Sequence, residues 1–179
     1  MIISRRISVA ALAALLLLAS AGCNGDSCNV CGLLIPLHHD GPPFVSLVVP
    51  ERIYTVGDTI TVEVLIDEAE NVDAVVFRLR FDETVVQFVP PAVEGPFMGS
   101  DGAVTGFQVD ELSIGGELAA SVWRLQEIEG MDGGGLLMSI DFLALNPGAC
   151  DFQFRSARVE TPLNIELPAN FASVSVNVI

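Results

Sequence analysis

Between Val56 and Val89 the chain alternates between apolar and polar residues. Ile60, Val62, Val64 and Ile66 alternate with Thr59, Thr61 and Glu63. After a short acidic stretch, Val75, Phe77, Leu79 and Phe81 alternate with Val76, Arg78 and Arg80. Successive strand side chains point to opposite faces, so a period of two predicts strands with one buried face. The same reading predicts nine strands, over Val45–Val49, Thr59–Asp67, Val72–Phe81, Val85–Val89, Val104–Val109, Leu118–Arg124, Leu136–Leu145, Cys150–Val159 and Ser173–Ile179. Turn residues separate them: Gly57-Asp58, Pro90-Pro91, Asp101-Gly102, Gly115-Gly116, Gly133-Gly134-Gly135 and Pro147-Gly148. No helical period competes after the first residues. Short strands at this spacing predict an all-β, two-sheet β-sandwich over residues 44–179. Val174, Val176 and Val178 give the last strand an apolar face, so it is expected to be tied into a sheet.

The N-terminal segment reads differently. Arg5 and Arg6 precede an apolar run from Val9 to Ala19, which small residues follow. The run is too short to span a bilayer and reads as a signal peptide over residues 1–22. Leu18-Ala19-Ser20-Ala21-Gly22-Cys23 resembles a bacterial lipobox. That makes Cys23 the expected lipid attachment site, with residues 23–43 as a spacer. Cleavage after Ala21, at an A-x-A-like site, is the alternative. The chain is expected to be exported and held at the cell envelope, outer membrane or cell surface by that lipid, its one contact with the membrane.

Charge narrows the partners. Acids number 23 against eight basic residues, all of them Arg. Removing a leader that carries Arg5, Arg6 and no acid leaves six Arg against 23 acids, a net charge of −17. Nucleic acid is excluded as a partner class, because its binding rests on neutralising phosphates. Anionic lipid surfaces are disfavoured for the same reason.

The cysteines are Cys23, Cys28, Cys31 and Cys150. If Cys23 is lipidated, Cys28 and Cys31 pair locally or stay free in the spacer. Strand parity then puts Cys150 with Phe152 and Phe154 on a buried face. If Cys23 is not lipidated, three pairings are open. Cys28-x-x-Cys31 with His38-His39-Asp40 is a weak zinc pattern, because adjacent histidines serve one tetrahedral site poorly; no metal site is assigned. Asp67, Glu68, Glu70, Asn71 and Asp73 read as a solvated acidic turn, with calcium as the alternative. The histidines are confined to the spacer and no G-x-S-x-G elbow occurs, so no catalytic residue is assigned and the chain reads as a non-enzyme.

Four segments in order resemble the cohesin family. They are Gly57-Asp58-Thr59-Ile60-Thr61-Val62, then Phe77-Arg78-Leu79-Arg80-Phe81-Asp82 with Val85-Val86, then Gly116-Glu117-Leu118-Ala119-Ala120-Ser121-Val122, and last Gly135-Leu136-Leu137-Met138-Ser139-Ile140-Asp141-Phe142. The resemblance spans Val45 to Ile179 and implies a jelly-roll topology of about nine strands. It also implies a binding module that docks a dockerin-bearing protein, such as one that degrades polysaccharide. Calcium would sit in the dockerin, so no cofactor is expected in this chain.

The resemblance further implies a receptor face built from Val72–Phe81, Val104–Val109, Leu118–Arg124 and Leu136–Leu145. Parity turns Ala74, Val76, Arg78, Arg80, Ala119, Ser121, Trp123, Leu137, Ser139 and Asp141 outward. Aromatic, aliphatic and Arg anchors dominate interfaces, so Val76, Arg78, Trp123 and Leu137 are the candidate partner contacts. Some cohesins carry Asn and Asp where this chain has Ala74 and Val76, which implies a more apolar interface or a different partner. Two alternatives remain: a carbohydrate-binding sandwich, and a structural or adhesion envelope lipoprotein with no dockerin.

Overall fold

The computed structural model describes residues 41–113, 115–125 and 129–179. The leader, the lipid site Cys23, Cys28, Cys31, His38 and His39 lie outside the described residues. The described residues form twelve strands and one 3-10 turn joined by turns and loops, with no α-helix among them. The strands are β1 Phe44–Val48, β2 Ile53–Tyr54, β3 Thr59–Val72, β4 Ala74–Arg80, β5 Val86–Glu94, β6 Thr105–Glu111, β7 Glu117–Arg124, β8 Met131–Ala144, β9 Gly148–Glu160, β10 Glu166–Leu167, β11 Asn170–Ala172 and β12 Val174–Val178. The 3-10 turn spans Phe97–Gly99.

Two mixed sheets form a sandwich. One has the order β11-β1-β3-β8-β5, and the other β2-β12-β9-β4-β7-β6 with β10 beside β9. The inward positions of both sheets are apolar because alternation sends every second side chain between them. Ile60, Val62 and Val64 meet Val75, Phe77 and Leu79 in one continuous core. Phe142 lies at its centre, with its ring 4.8 Å from Phe152 and 5.0 Å from Phe81. Cys150 is a free thiol on this buried face, as its parity with Phe152 predicts. Burial pushes its thiol pKa up, since the charged form loses hydration.

Two of the resembling motifs carry an Asp that shapes a turn. The Asp58 carboxylate accepts from the Thr55 hydroxyl at 2.6 Å and amide at 2.7 Å. Asp82 accepts from the Thr84 hydroxyl at 2.6 Å and amide at 2.9 Å. These bonds hold both carboxyls below the ordinary range. Gly116, at φ +74°, has no room for a side chain: a Cβ there would lie 2.6 Å from the Phe81 carbonyl oxygen.

Bulges account for the departures from strict alternation. The acidic stretch is part of β3 rather than a turn between strands, and its pairing with β8 shifts at Ile66/Ala69 and Ala69/Val72. Glu68 and Asn71 take positive φ there. Asn71 is held by its amide donating to Asp132 and by its side-chain oxygen accepting from Gly130. Among the described residues, no three His, Cys, Asp or Glu side chains converge to hold a metal ion. Gly133-Gly134-Gly135 also lies inside a strand, β8, rather than in a turn. A Cβ at Gly134 would meet the Ile66 carbonyl at 2.9 Å, and one at Gly135 would meet the Phe97 ring at 3.1 Å. The glycines therefore permit close approach within the sheet. Pro90 and Pro91, joined by a cis bond, fall in the gap of the β5–β8 ladder between Val89 and Val93. Proline has no amide to donate, so the gap is where a strand tolerates it.

Arg124 is 5% exposed, although it carries a charge. It donates to the Met98 carbonyl at 2.7 Å and grips both Asp101 oxygens, at 2.7 and 3.1 Å. The Arg124 bonds hold the Asp101 carboxyl at about 2, against its ordinary 3.8. A depressed folded-state pKa gives stability that is full above the unfolded value and is lost as pH falls through the folded one. The pair should therefore stabilise fully above pH 3.8 and not below about 2. Melting temperatures of the wild type and Asp101→Asn are expected to differ most above that window and to converge at its lower end. The Asp101 side chain is half exposed, so screening limits the size of the difference.

Candidate partner-binding face

The outer side of β9, β4, β7 and β6 forms one open face. β4 pairs with β9 on one side and β7 on the other, and β6 closes the edge. The ladder places its outward residues in rows. Glu160, Ala74, Trp123 and Gly106 form the first; Arg158, Val76, Ser121 and Gln108 the second; Ser156, Arg78, Ala119 and Asp110 the third. Gln153, Arg80 and Glu117 form the fourth. A shallow depression of about 550 Å³ runs over the middle rows, lined by Val76, Arg78, Ser121, Ser156 and Arg158 among others. Its floor is low because Ala119, Ser121 and Ser156 are small.

Three of the four candidate contacts share this face. Val76 and Arg78 stand two residues apart on β4, half-buried and exposed respectively. Trp123 is half-buried at the end of β7 and lies over Gly106: a Cβ at Gly106 would sit 2.2 Å from the indole ring. Gly106 therefore gives the indole a bare backbone to rest on. Ala74, opposite Trp123, is only 8% exposed.

The fourth contact is corrected. Leu137 is fully buried and belongs to the core. It also lies on β8, in the other sheet, so Leu136–Leu145 is not part of this face. Strict parity turned Leu137 outward, but the β3–β8 register shifts between Val64 and Leu65. The extra residue reverses the alternation, and Leu137 and Met138 are both buried. Ser139 and Asp141 go with β8; the Thr61 hydroxyl donates to Asp141 at 2.7 Å across the β3–β8 pair.

The strand that takes the place of β8 is β9, and it brings residues that parity hides. Counting from Cys150, Phe152 and Phe154 directs Arg158 inward. A register shift where β9 passes Arg78 and Leu79 reverses this, so that Ala157 and Val159 pair opposite inward Phe77 and Val75. Arg155, Ser156 and Arg158 are exposed as a result. Arg158 pairs with Glu160 at 2.5 Å, and Arg155 reaches across β4 towards Glu117 at 3.9 Å.

Solved cohesins share this architecture. A type II cohesin domain from the cellulosome of Acetivibrio cellulolyticus matches with a TM-score of 0.64 at 13% identity, over 77% of this chain and 95% of its own. The fold is the cohesin fold. A non-cellulosomal cohesin from the archaeon Archaeoglobus fulgidus matches with a TM-score of 0.61 at 13% identity, over 78% of this chain and 92% of its own. A type I cohesin–dockerin complex from Clostridium thermocellum matches with a TM-score of 0.60 at 15% identity, over 76% of this chain and 99% of the other. No family model matches the chain, and no curated protein matches it. The cohesin-like domain thus shares its sandwich with these proteins and little of their sequence.

Proposed function

We propose that this chain is a non-enzymatic docking receptor that captures a dockerin-bearing protein on the outer face of β9-β4-β7-β6. The observation that carries the reading is the cohesin fold joined to an open face on which Val76, Arg78 and Trp123 stand together. A cohesin of the same fold has been solved bound to a dockerin. The leader and Cys23 support export and a lipid anchor at the cell envelope, and the captured protein would be one that acts on polysaccharide. The glycan alternative needs a platform of aromatic rings. Tyr54 is buried, and Trp123 is the one aromatic on this face among the described residues.

The test is capture by the immobilised full chain from the source organism's own secreted proteins, with Ca²⁺ and then with chelator. Calcium folds the paired loops of such a module, since those loops supply their oxygen ligands only around the ion. The expected result is a captured protein with duplicated calcium loops, released by chelator. Capture that chelator leaves unchanged, or none at all, contradicts the reading.

A further inference from the structure

Six arginines lie among the described residues, and four of them gather on this one face: Arg78 and Arg80 on β4, Arg155 and Arg158 on β9. Arg124 is buried with Asp101, and Arg52 donates to the Ser175 carbonyl away from the face. The concentration occurs in a chain with 23 acids and no Lys. We propose that the partner presents acidic side chains here, so that the arginines grip Asp or Glu of a docked protein segment. The inference rests on the reading of this face as a docking surface and supplies the chemistry of what docks.

The geometry suits carboxylates. Residues on one face of a strand recur about 7 Å apart, and neighbouring strands lie about 4.8 Å apart. The four arginines therefore fall within a patch that one helix or strand of a partner can span, although Arg155 and Arg158 already face Glu117 and Glu160. Arg78 and Arg80 make no ion pair among the described residues. Arg78 stands between Ser156 and Ala119, which are too small to shield it and carry no charge. A guanidinium left open over a floor of small residues can meet a carboxylate with two parallel hydrogen bonds. Val76 and Trp123 add an apolar end to the same patch.

The acidic remainder of the chain selects the kind of partner. Exposed charges more than about 8 Å apart are largely screened at physiological ionic strength. Glu117 and Glu160 on this face lie against Arg155 and Arg158, and Asp110 stands at its β6 edge, so a segment with a few local carboxylates meets Arg78 and Arg80 first. A long polyanion would run off the patch onto acidic surface and be repelled. A protein segment is favoured over nucleic acid or an anionic polysaccharide on that ground.

The test has two arms, both on the full chain. In the first, the isotope-labelled chain is titrated with a helical peptide carrying Glu at i, i+4 spacing, and with counterparts in which each Glu is Gln or Lys. Perturbation of the Arg78, Arg80, Arg155 and Arg158 side-chain N–H signals by the Glu peptide alone is expected. Silence with that peptide, an equal response to the Gln or Lys peptide, or a stronger one to a single-stranded DNA oligonucleotide overturns the proposal. In the second arm, Arg78→Glu with Arg80→Glu is compared with Arg52→Glu for affinity towards the calcium-dependent partner. The double variant should bind on the order of 100-fold more weakly, and Arg52→Glu should match wild type. Should the double variant lose its melting transition, Arg78→Gln with Arg80→Gln takes its place. Binding retained within about threefold overturns the acidic partner while the docking reading stands. A response to the Glu peptide without any calcium-dependent capture removes the dockerin and leaves the acidic partner in place.

Discussion

Deleting Val174–Ile179 is expected to abolish folding. The segment contains β12, an interior strand held between β2 and β9. It pairs with β9 along its whole length, from Val174 opposite Phe152 to Val178 opposite Gly148. Val174, Val176 and Val178 are all but fully buried. Burying each such side chain stabilises by about 1.5 kcal/mol or more. The deletion also strips the β9 edge of its partner and leaves its amides and carbonyls unmatched. Domains have only about 5–15 kcal/mol of stability to lose. The truncated chain should be insoluble on expression; a soluble product with a cooperative melting transition would contradict this account of β12.

Leu137→Glu and Val76→Glu should have opposite consequences, although sequence parity treats the two positions alike. Leu137 is fully buried, and a carboxylate there would have to lose its hydration or force the core open. The expected cost is on the order of 4 kcal/mol or more, a large part of total stability. Val76 is half-buried on an open face, where a new carboxylate keeps its water. That change should cost no more than about 1 kcal/mol in strand preference. Urea unfolding of both variants checks the contrast. A midpoint for Leu137→Glu within error of wild type would return that residue to the surface.

The sandwich was legible in the sequence because its signal is local. Alternation in β3, β4 and β12 identifies strands and their buried faces, and all nine predicted strands exist within the set of twelve among the described residues. The three missed strands, β2, β10 and β11, have two or three residues each, too few for a period to show. The face was legible only in part. Val76, Arg78 and Trp123 lie on strands that carry no extra residue of their own, so parity holds along them. Leu137, Arg155 and Arg158 lie beside register shifts, which arise from pairing with a strand distant in the sequence. No count along a single strand can find such a shift. One sign was available: Phe152, Phe154 and Val159 cannot all face inward on strict parity, and all three are apolar in one strand. That mismatch marks a bulge between them and would have turned Arg158 outward.

The assignment of β9 rather than β8 to the face follows from topology alone and is the point on which the function depends. Amide hydrogen exchange of the full chain, with and without its calcium-dependent partner, tests it most directly. Exchange should slow on binding over 74–80, 105–111, 117–124 and 153–160, and stay unchanged over 131–144. Protection centred on 131–144 and the neighbouring strands β3 and β5 would contradict it and place the docking surface on the opposite sheet.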